Sequence, residues 1–272
     1  LDRSLLVLCS PTGTGYVNHA AVASWEYLAR GDCASLTMQY SVRPSPMSLD
    51  RVDDGREQNR AVWAALAQRL REREAGRRPR VVLFGESLGA HTSQDAFLHQ
   101  GTEGLRRAMV DRALWLGTPY ASAWPREIGV REPGRVCPDG VLRLTGADAI
   151  DELDPTDAQA ARYVLIEHGD DAIALFGPEL LVREPSWLSA RRHDAVPGHA
   201  RWSTPVTFLQ CAVDVKNANA TPGAFGAVGH DHRADVARAV SFAFGLPCTP
   251  DQLRAIEAAL RREDPENAMI WR

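Results

Sequence analysis

The sequence lacks long apolar runs and the short motifs that mark several classes of protein. No apolar stretch in its 272 residues approaches the roughly 20 residues that a membrane-spanning helix needs. Its five cysteines are widely spaced and include no C-x-x-C pair, so zinc ribbons and thioredoxin-like motifs are excluded. Neither G-x-G-x-x-G nor a glycine-rich loop followed by Lys-Ser/Thr occurs. We therefore expect no nucleotide cofactor.

Neither sign of charge is in strong excess. The chain has 31 basic and 35 acidic residues, which gives a formal net charge of -4. A basic nucleic-acid-binding surface is therefore not indicated, and we expect no nucleic-acid partner. With 44% hydrophobic residues the chain has the composition of an ordinary globular protein, and we assign 1–272 to a single domain.

Short aliphatic and β-branched runs alternate with longer helical patterns along the chain. Strands are predicted at 5–9, 34–40, 81–84, 113–116, 162–166 and 206–212, and helices at 20–30, 55–74, 88–99, 234–244 and about 250–262. This alternation is typical of βαβ units, so it predicts an α/β fold with a mostly parallel central sheet of about six strands and helices on both faces. Loop-rich insertions are expected at about 117–161 and 172–204.

The end of the chain carries a helix-start signal. Thr249 is followed by a proline at the first helical position and by Gln252 at the position that completes a capping box. The last helix is therefore predicted to begin there.

One pentapeptide carries a recognisable chemical pattern. Gly85-Glu86-Ser87-Leu88-Gly89 lies directly after the predicted strand 81–84 and directly before a predicted helix. In this G-x-S-x-G context the serine occupies a strained turn at the carboxyl end of the sheet, where it is exposed to substrate as a nucleophile. The alternative is that the glycines only permit tight strand–helix packing around an inert serine.

Carboxylates follow the predicted strand 162–166. Asp170 and Asp171 lie in the turn after it, where a catalytic acid could orient a histidine. Asp171 or Asp170 is the candidate acid, and the one that is not catalytic is expected to cap the following turn. Asp214, after the run 206–212, is a third candidate.

Two histidines compete for the role of general base. His230 and His232 lie in the loop before the predicted helix 234–244, so the chain order is Ser, then Asp, then His. His230 is slightly favoured because it follows Gly229, and His232 is the alternate.

The turn after the first strand is the expected source of an oxyanion-hole N–H group. Thr12 or Gly13 would supply it, together with the backbone N–H of Leu88 next to the nucleophile. A rival hypothesis uses His230, Asp231, His232, Asp170 and Asp171 as metal ligands. Adjacent residues on one short loop rarely all point at one ion, and no H-E-x-x-H helix is present, so we expect no metal.

Five segments together resemble the catalytic domain of actinobacterial membrane-linked α/β-hydrolases. They are Pro11-Thr-Gly-Thr-Gly-Tyr16, Met38-Gln-Tyr-Ser41, Phe84-Gly-Glu-Ser-Leu-Gly89, Leu114-Trp-Leu-Gly117 and Gly229-His-Asp-His232. The resemblance implies an α/β-hydrolase-like sandwich with Ser87 as nucleophile, Asp171 most simply as acid, and a His of the last segment as base. It also implies a multi-helix membrane segment before Leu1, so that this chain would be the soluble domain of a membrane-anchored bacterial protein.

These observations predict a serine hydrolase of the esterase or lipase type that cleaves carboxylic esters or thioesters without a cofactor. The insertions contain large apolar residues, which would line a cleft for a small-molecule or lipid-like acyl substrate, or would form an ordinary core: Trp124, Phe176, Leu180, Leu181, Trp187, Leu188 and Trp202. Two alternatives stay open. The acyl-enzyme could pass its acyl group to an alcohol or amine, as in an acyltransferase, or the domain could be a non-catalytic ligand-binding module.

Overall fold

Six apolar segments pair as parallel strands in one central sheet. A computed structural model describes residues 2–130, 133–185, 187–188, 196–218, 225–226 and 229–268. The strands are β1 (Leu5–Ser10), β2 (Cys33–Thr37), β3 (Arg80–Glu86), β4 (Arg112–Leu116), β5 (Val141–Thr145) and β6 (Tyr163–Glu167). Their order across the sheet is β2-β1-β3-β4-β6-β5, with every pairing parallel. The predicted parallel sheet of about six strands is confirmed.

Helices cover both faces of the sheet. They are α1 (His19–Leu28), α2 (Val52–Arg71), α3 (Leu88–Asp95), α4 (Gly101–Arg107), α5 (Trp124–Ile128), α6 (Pro155–Ala160), α7 (Ala172–Leu175), α8 (Val206–Asn217), α9 (Val236–Ala243) and α10 (Pro250–Ala268). Among the described residues, no helix is both long and apolar enough to span a bilayer. The predicted capping box is present at the start of α10, where the Thr249 hydroxyl accepts from the Gln252 N–H and the Gln252 side chain accepts from the Thr249 N–H.

The strands are apolar on both sides because both sides are covered. On one face, Trp25 of α1 packs against Phe84 of β3 and against Phe244 after α9, and all three belong to one core cluster. On the other face, Trp63 of α2 stacks on Phe97, and both belong to the core cluster under Leu83 of β3. Burial on two faces is what gives parallel strands their continuous rather than alternating apolar pattern.

Two predicted assignments near the sheet were wrong. The run Val206–Ala212, predicted as the last strand, belongs to helix α8, which buries Thr207 and Cys211 four residues apart. Short apolar runs rich in β-branched residues fit either structure, and here the helical spacing prevails. The sixth strand is instead β5, which lies inside the region predicted as the loop-rich insertion 117–161. The second predicted insertion, 172–204, lies partly outside the described residues.

Close packing of β1, β3 and α3 fixes the glycines of the G-x-S-x-G segment. A Cβ on Gly89 would lie 2.0 Å from the carbonyl oxygen of Ser10, at the end of β1. A Cβ on Gly85 would lie 2.8 Å from both the Gly89 carbonyl oxygen and the Ser93 hydroxyl. Both glycines are therefore needed for α3 to begin directly beside the sheet.

We predict that Gly89→Ala destabilises the protein by about 1–3 kcal/mol, because the new methyl group overlaps rigid backbone. Urea unfolding of the variant and of wild type measures the difference. Gly76→Ala is the matched control, because a Cβ there has no heavy atom within 4 Å. An unfolding midpoint for Gly89→Ala equal to that of the control would contradict this packing argument.

Candidate active site

Ser87 occupies a strained backbone conformation at the carboxyl end of β3. Its φ is 56° and its ψ is -126°, a region that non-glycine residues rarely adopt. The Ser87 N–H donates to the carbonyl oxygen of Leu116 (3.0 Å), which ties the turn to the end of β4. Helix α3 starts at the next residue, Leu88, so the serine lies at a helix N-terminus whose first N–H groups have no acceptor within the helix.

The loop after β1 packs against the start of α3. A Cβ on Gly13 would lie 2.9 Å from the Leu88 side chain, and the Ser48 hydroxyl donates to the Gly13 carbonyl oxygen (2.9 Å). The Thr12 N–H is already used inside the loop, where it donates to the carbonyl oxygen of Tyr16 (2.9 Å). Among the described residues no acceptor is found for the Gly13 N–H. Of the two predicted oxyanion-hole donors in this loop, Gly13 is therefore the one with an available N–H.

Asp171 and His230 are hydrogen-bonded across 59 residues of sequence. Nδ1 of His230 donates to Oδ2 of Asp171 (2.7 Å). The other carboxylate oxygen of Asp171 accepts from the N–H of Ile173 (2.9 Å), as the N-cap of α7. Asp171 is completely buried, so both of its oxygens are held in fixed positions.

His230 lies against Gly117, the residue that follows β4. A Cβ on Gly117 would be 2.5 Å from Cε1 of His230, and Gly117 has a φ of 56°. Gly117 follows Leu116, which accepts the Ser87 N–H, so the serine and the histidine border the same strand end. Nε2 of His230 is buried and has no hydrogen-bond partner among the described residues, so the bond to Ser87 is not formed in this structure. The contact between Gly117 and the His230 ring was not expected from the sequence, where Gly117 stands out only as a glycine directly after an apolar strand and as the end of the segment Leu114-Trp-Leu-Gly117.

The alternates Asp170 and His232 occupy different positions. Asp170 accepts from the N–H of Gly229 (3.0 Å) and supports the loop that carries His230. His232 is fully buried, with its ring nitrogens 3.9 Å from a carboxylate oxygen of Asp171 and 3.6 Å from one of Asp235. These distances are too long for hydrogen bonds but short enough for ion pairing.

Burial and opposite charge compete at this cluster. Burial alone would raise the pKa of Asp171, but His230 and His232 hold it well below its usual range. Burial alone would lower the pKa of His232, but the carboxylates of Asp171 and Asp235 outweigh it and raise that pKa to about 9. A raised pKa favours the protonated form of His232, and a protonated imidazole cannot act as a general base.

Two sets of side chains are close enough together to test for metal binding. The candidate ligand atoms of His168, His232 and Asp235 lie within 4.8 Å of one another, as do those of Asp171, His230 and His232. The rings of His168 and His232 are nearly parallel (23°) at 4.2 Å, so their in-plane lone pairs do not converge on one ion. In the other set, Nδ1 of His230 already donates to Asp171.

The remaining members of the rival metal set point elsewhere. Asp231 is paired with the Arg233 guanidinium (2.8 Å), and Asp170 accepts from the Gly229 N–H. The side-chain arrangement is therefore that of a hydrogen-bonded acid–base pair and does not fit a metal site.

Two cavities lie beside the acid turn. One of about 870 Å³ has a mostly apolar lining that includes Leu175, Trp187, Leu188, Val206, Leu209 and Val213, and it reaches Asp170 and Ala172. The other, of about 770 Å³, is lined in part by Tyr120, Arg126, Leu180, Arg183 and His168. Ser87 lines neither. Trp124, one of the large residues for which both a cleft and an ordinary core were open, is fully buried in the core against Trp115.

The comparisons with known proteins place the chain in a family. The model of the alpha/beta-hydrolase family matches residues 1–253, and the chain belongs to that family. This confirms the broader part of the resemblance seen in the sequence. No curated protein matches the chain significantly.

Solved structures are similar only at a distance. An acetylxylan esterase is 13% identical, covers 63% of this chain and 84% of its own, and has a TM-score of 0.40. A cutinase-like protein from Cryptococcus sp. is 15% identical, covers 62% of this chain and 77% of its own, and has a TM-score of 0.35. At this distance neither structure carries a conclusion about the chain.

The raised pKa of His232 predicts a pH-dependent stability. Because the folded value of about 9 lies above the unfolded value of 6.5, the ion pairs contribute fully below pH 6.5, and their contribution is lost as the pH rises through about 9. The free energy of unfolding of wild type, measured in urea, should fall by roughly 3 kcal/mol at most between pH 6.5 and about 9, relative to that of His232→Asn. The control is His99→Asn, at an exposed position, whose unfolding free energy should depend on pH as that of wild type does. If the unfolding free energies of all three proteins depend on pH in the same way, the raised pKa of His232 is refuted.

Proposed function

We propose that this member of the alpha/beta-hydrolase family is a serine hydrolase that cleaves carboxylic esters or thioesters. In this proposal Ser87 is the nucleophile, His230 the general base and Asp171 the acid that orients it. The observation that carries the proposal is the hydrogen-bonded Asp171–His230 pair, which lies against Gly117 at the strand end beside Ser87. The reaction is tested on purified protein with chromogenic esters, as described below.

In the first step His230 takes the hydroxyl proton of Ser87 on Nε2 while the serine oxygen attacks the carbonyl carbon. Nε2 is the nitrogen left without a partner, because Nδ1 is occupied by Asp171. The buried carboxylate of Asp171 fixes the tautomer and stabilises the imidazolium that forms. In this proposal the Ser87–His230 bond forms when substrate binds, because catalytic hydrogen bonds often tighten only in the substrate complex.

The negative charge that develops on the carbonyl oxygen is stabilised by backbone N–H groups. Leu88 supplies one from the N-terminus of α3, and Gly13 supplies the other from the loop packed against it. The Ser48 hydroxyl bonds to the Gly13 carbonyl, in the peptide unit that follows the Gly13 N–H, and so restrains the loop at Gly13 without a substrate. Preorganised donors of this kind cost no rearrangement when the charge appears.

Collapse of the tetrahedral intermediate breaks the bond to the leaving group, which takes the proton from His230 as an alcohol or thiol. The acyl group stays on the oxygen of Ser87 as an ester. Water then attacks this ester while His230 accepts a proton, and a second collapse releases the carboxylic acid and restores the serine.

His230 and Asp171 are chosen over His232 and Asp170 for physical reasons. His232 lies between two carboxylates that raise its pKa, whereas the free nitrogen of His230 lies beside the strand end that Ser87 contacts. Asp170 bonds to the backbone of Gly229 and to neither histidine.

An apolar, lipid-like acyl group is the proposed substrate class. The 870 Å³ cavity offers leucine, valine and tryptophan side chains next to the acid turn, and it is within the size range of small-molecule sites. Val206, Leu209 and Val213 of α8 extend this apolar surface to the solvent, where each is at least half exposed. An acyl chain placed there would remove apolar area from water on both partners.

We predict that Ser87→Ala lowers kcat/KM for p-nitrophenyl esters by on the order of 10⁴-fold or more, because triad members act as a unit. The wild type should prefer longer acyl chains to acetate and should be labelled at Ser87 by a fluorophosphonate. Ser203→Ala, at an exposed serine, is the matched control and should behave as wild type. Undiminished hydrolysis by Ser87→Ala would exclude this nucleophile, and preference for acetate would exclude the apolar substrate.

The two histidines are predicted to differ. His230→Asn should lose on the order of 10³-fold or more in kcat, and His232→Asn should lose less, because only His230 transfers a proton. EDTA should leave the wild-type rate unchanged. If kcat falls more in His232→Asn than in His230→Asn, His232 is the general base and His230 is not. Inactivation by EDTA would favour a metal-dependent reaction.

A further inference from the structure

His168 is a buried histidine outside the proposed triad that bonds through both ring nitrogens. It lies in the turn after β6, and its side chain is almost fully buried. Nδ1 donates to the carbonyl oxygen of Gly229 (2.8 Å), and Nε2 is 2.5 Å from a carboxylate oxygen of Asp235. Its two partners belong to the loop that carries His230 and to the start of α9.

Both partners of His168 are acceptors, which determines where the protons are. A backbone carbonyl only accepts, and an ionised carboxylate only accepts, so each ring nitrogen must carry a proton for both bonds to exist. Burial alone would raise the pKa of Asp235, but His168 and His232 hold it well below its usual range, which keeps Asp235 ionised. His168 is therefore placed to donate to both acceptors, and its Nδ1 bond to Gly229 is the one that reaches the loop of His230.

Gly229 is held on both sides of its backbone. Its N–H donates to Asp170, its carbonyl accepts from His168, and its φ is 58°. Both partners come from the turn that also contains Asp171. The peptide that immediately precedes His230 is thus fixed to the same turn as the acid to which His230 bonds.

We propose that His168 is a positioning residue that holds the Gly229 carbonyl and so sets the orientation of the His230 ring between Asp171 and Ser87. This inference rests on the proposed function, in which His230 is the general base. Asp235 acts one step further away, since it holds His168 and makes it a stronger donor to Gly229.

The surroundings of His168 favour a fixed ring. The ring of His232 stacks on it at 4.2 Å, and the second oxygen of Asp235 accepts from the Ala147 N–H (3.2 Å). A Cβ on Gly146, which follows β5, would lie 3.9 Å from the ring. Elements from three parts of the chain therefore enclose this side chain.

A pair of substitutions separates the two bonds of His168. The amide nitrogen of asparagine matches the position of Nδ1, and that of glutamine matches Nε2. His168→Asn therefore keeps a donor for Gly229 and loses the one for Asp235, whereas His168→Gln does the reverse. Wild type and both variants are compared for kcat, KM and unfolding midpoint with the same p-nitrophenyl ester.

We expect His168→Asn to keep a kcat close to wild type, and His168→Gln to lose on the order of 10-fold or more with KM unchanged, because a misplaced base slows the chemical step. A purely structural role predicts the opposite order, since the charge-assisted bond to Asp235 is the stronger of the two and glutamine keeps it. Equal kcat values, or a better enzyme with glutamine, would overturn the proposal.

Asp170 gives a second test that does not depend on folding of the His168 variants. Asp170→Ala removes the acceptor for the Gly229 N–H and should lower kcat, while Asp170→Asn retains an acceptor oxygen and should restore much of it. If alanine and asparagine give the same kcat, Gly229 does not position the base.

Hydrogen exchange of the peptide around 229–235 tests the same contact without activity. Exchange should be faster in His168→Gln than in His168→Asn, and equal exchange would overturn the proposal. A wild type that fails to hydrolyse esters while showing this difference would refute the proposed function and leave the role of His168 in the loop supported. Hydrolysis that depends on Ser87 and His230, with equal exchange in the two His168 variants, would support the proposed function and refute the role of His168.

Discussion

The parallel register of four neighbouring strands is the constraint on which the site depends. β1, β3, β4 and β6 are adjacent in the sheet and all run in the same direction, so their carboxyl ends meet at one edge. The segments that follow them contribute Gly13, Ser87, Gly117 and Asp171 in that order across the sheet. Ligand sites of open α/β sheets lie at this edge for the same reason. The loop carrying His230 reaches the same edge, where His230 contacts Gly117 and Asp171.

Buried charge is balanced around the acid turn. Asp171 and Asp235 are both buried, and three histidines lie within hydrogen-bond or ion-pair distance of them. Isolated carboxylates would be costly to bury, and the neighbouring histidines hold the pKa values of both carboxylates well below their usual range. This leaves His230 as the histidine of the three that combines a bond to Asp171 with a free nitrogen. The proposed division of roles therefore follows from the charges and not only from position.

Local patterns predicted the parts of the fold that are determined locally. The Thr249–Gln252 capping box and the strand–turn–helix around Ser87 involve residues close in sequence, and both are present in the structure. The runs 141–145 and 206–212 were misassigned because a short apolar run becomes a strand only where a neighbouring strand offers hydrogen bonds. β6 offers them to β5, whereas 206–212 has no place in the sheet and forms α8.

For the candidate site, the sequence alone determined which residue types follow which strands, and so it predicted the chain order Ser, then Asp, then His. It left Asp170, His232 and Thr12 as equal or near alternatives, because neighbours in sequence share the same local pattern. Only the tertiary structure gives these neighbours different contacts. The contacts join distant segments, namely Asp170 with the Gly229 N–H, Asp171 with His230, and Gly117 with the His230 ring, and they support the proposed choice. These contacts depend on how loops from different strands pack together, which no pattern within one loop contains.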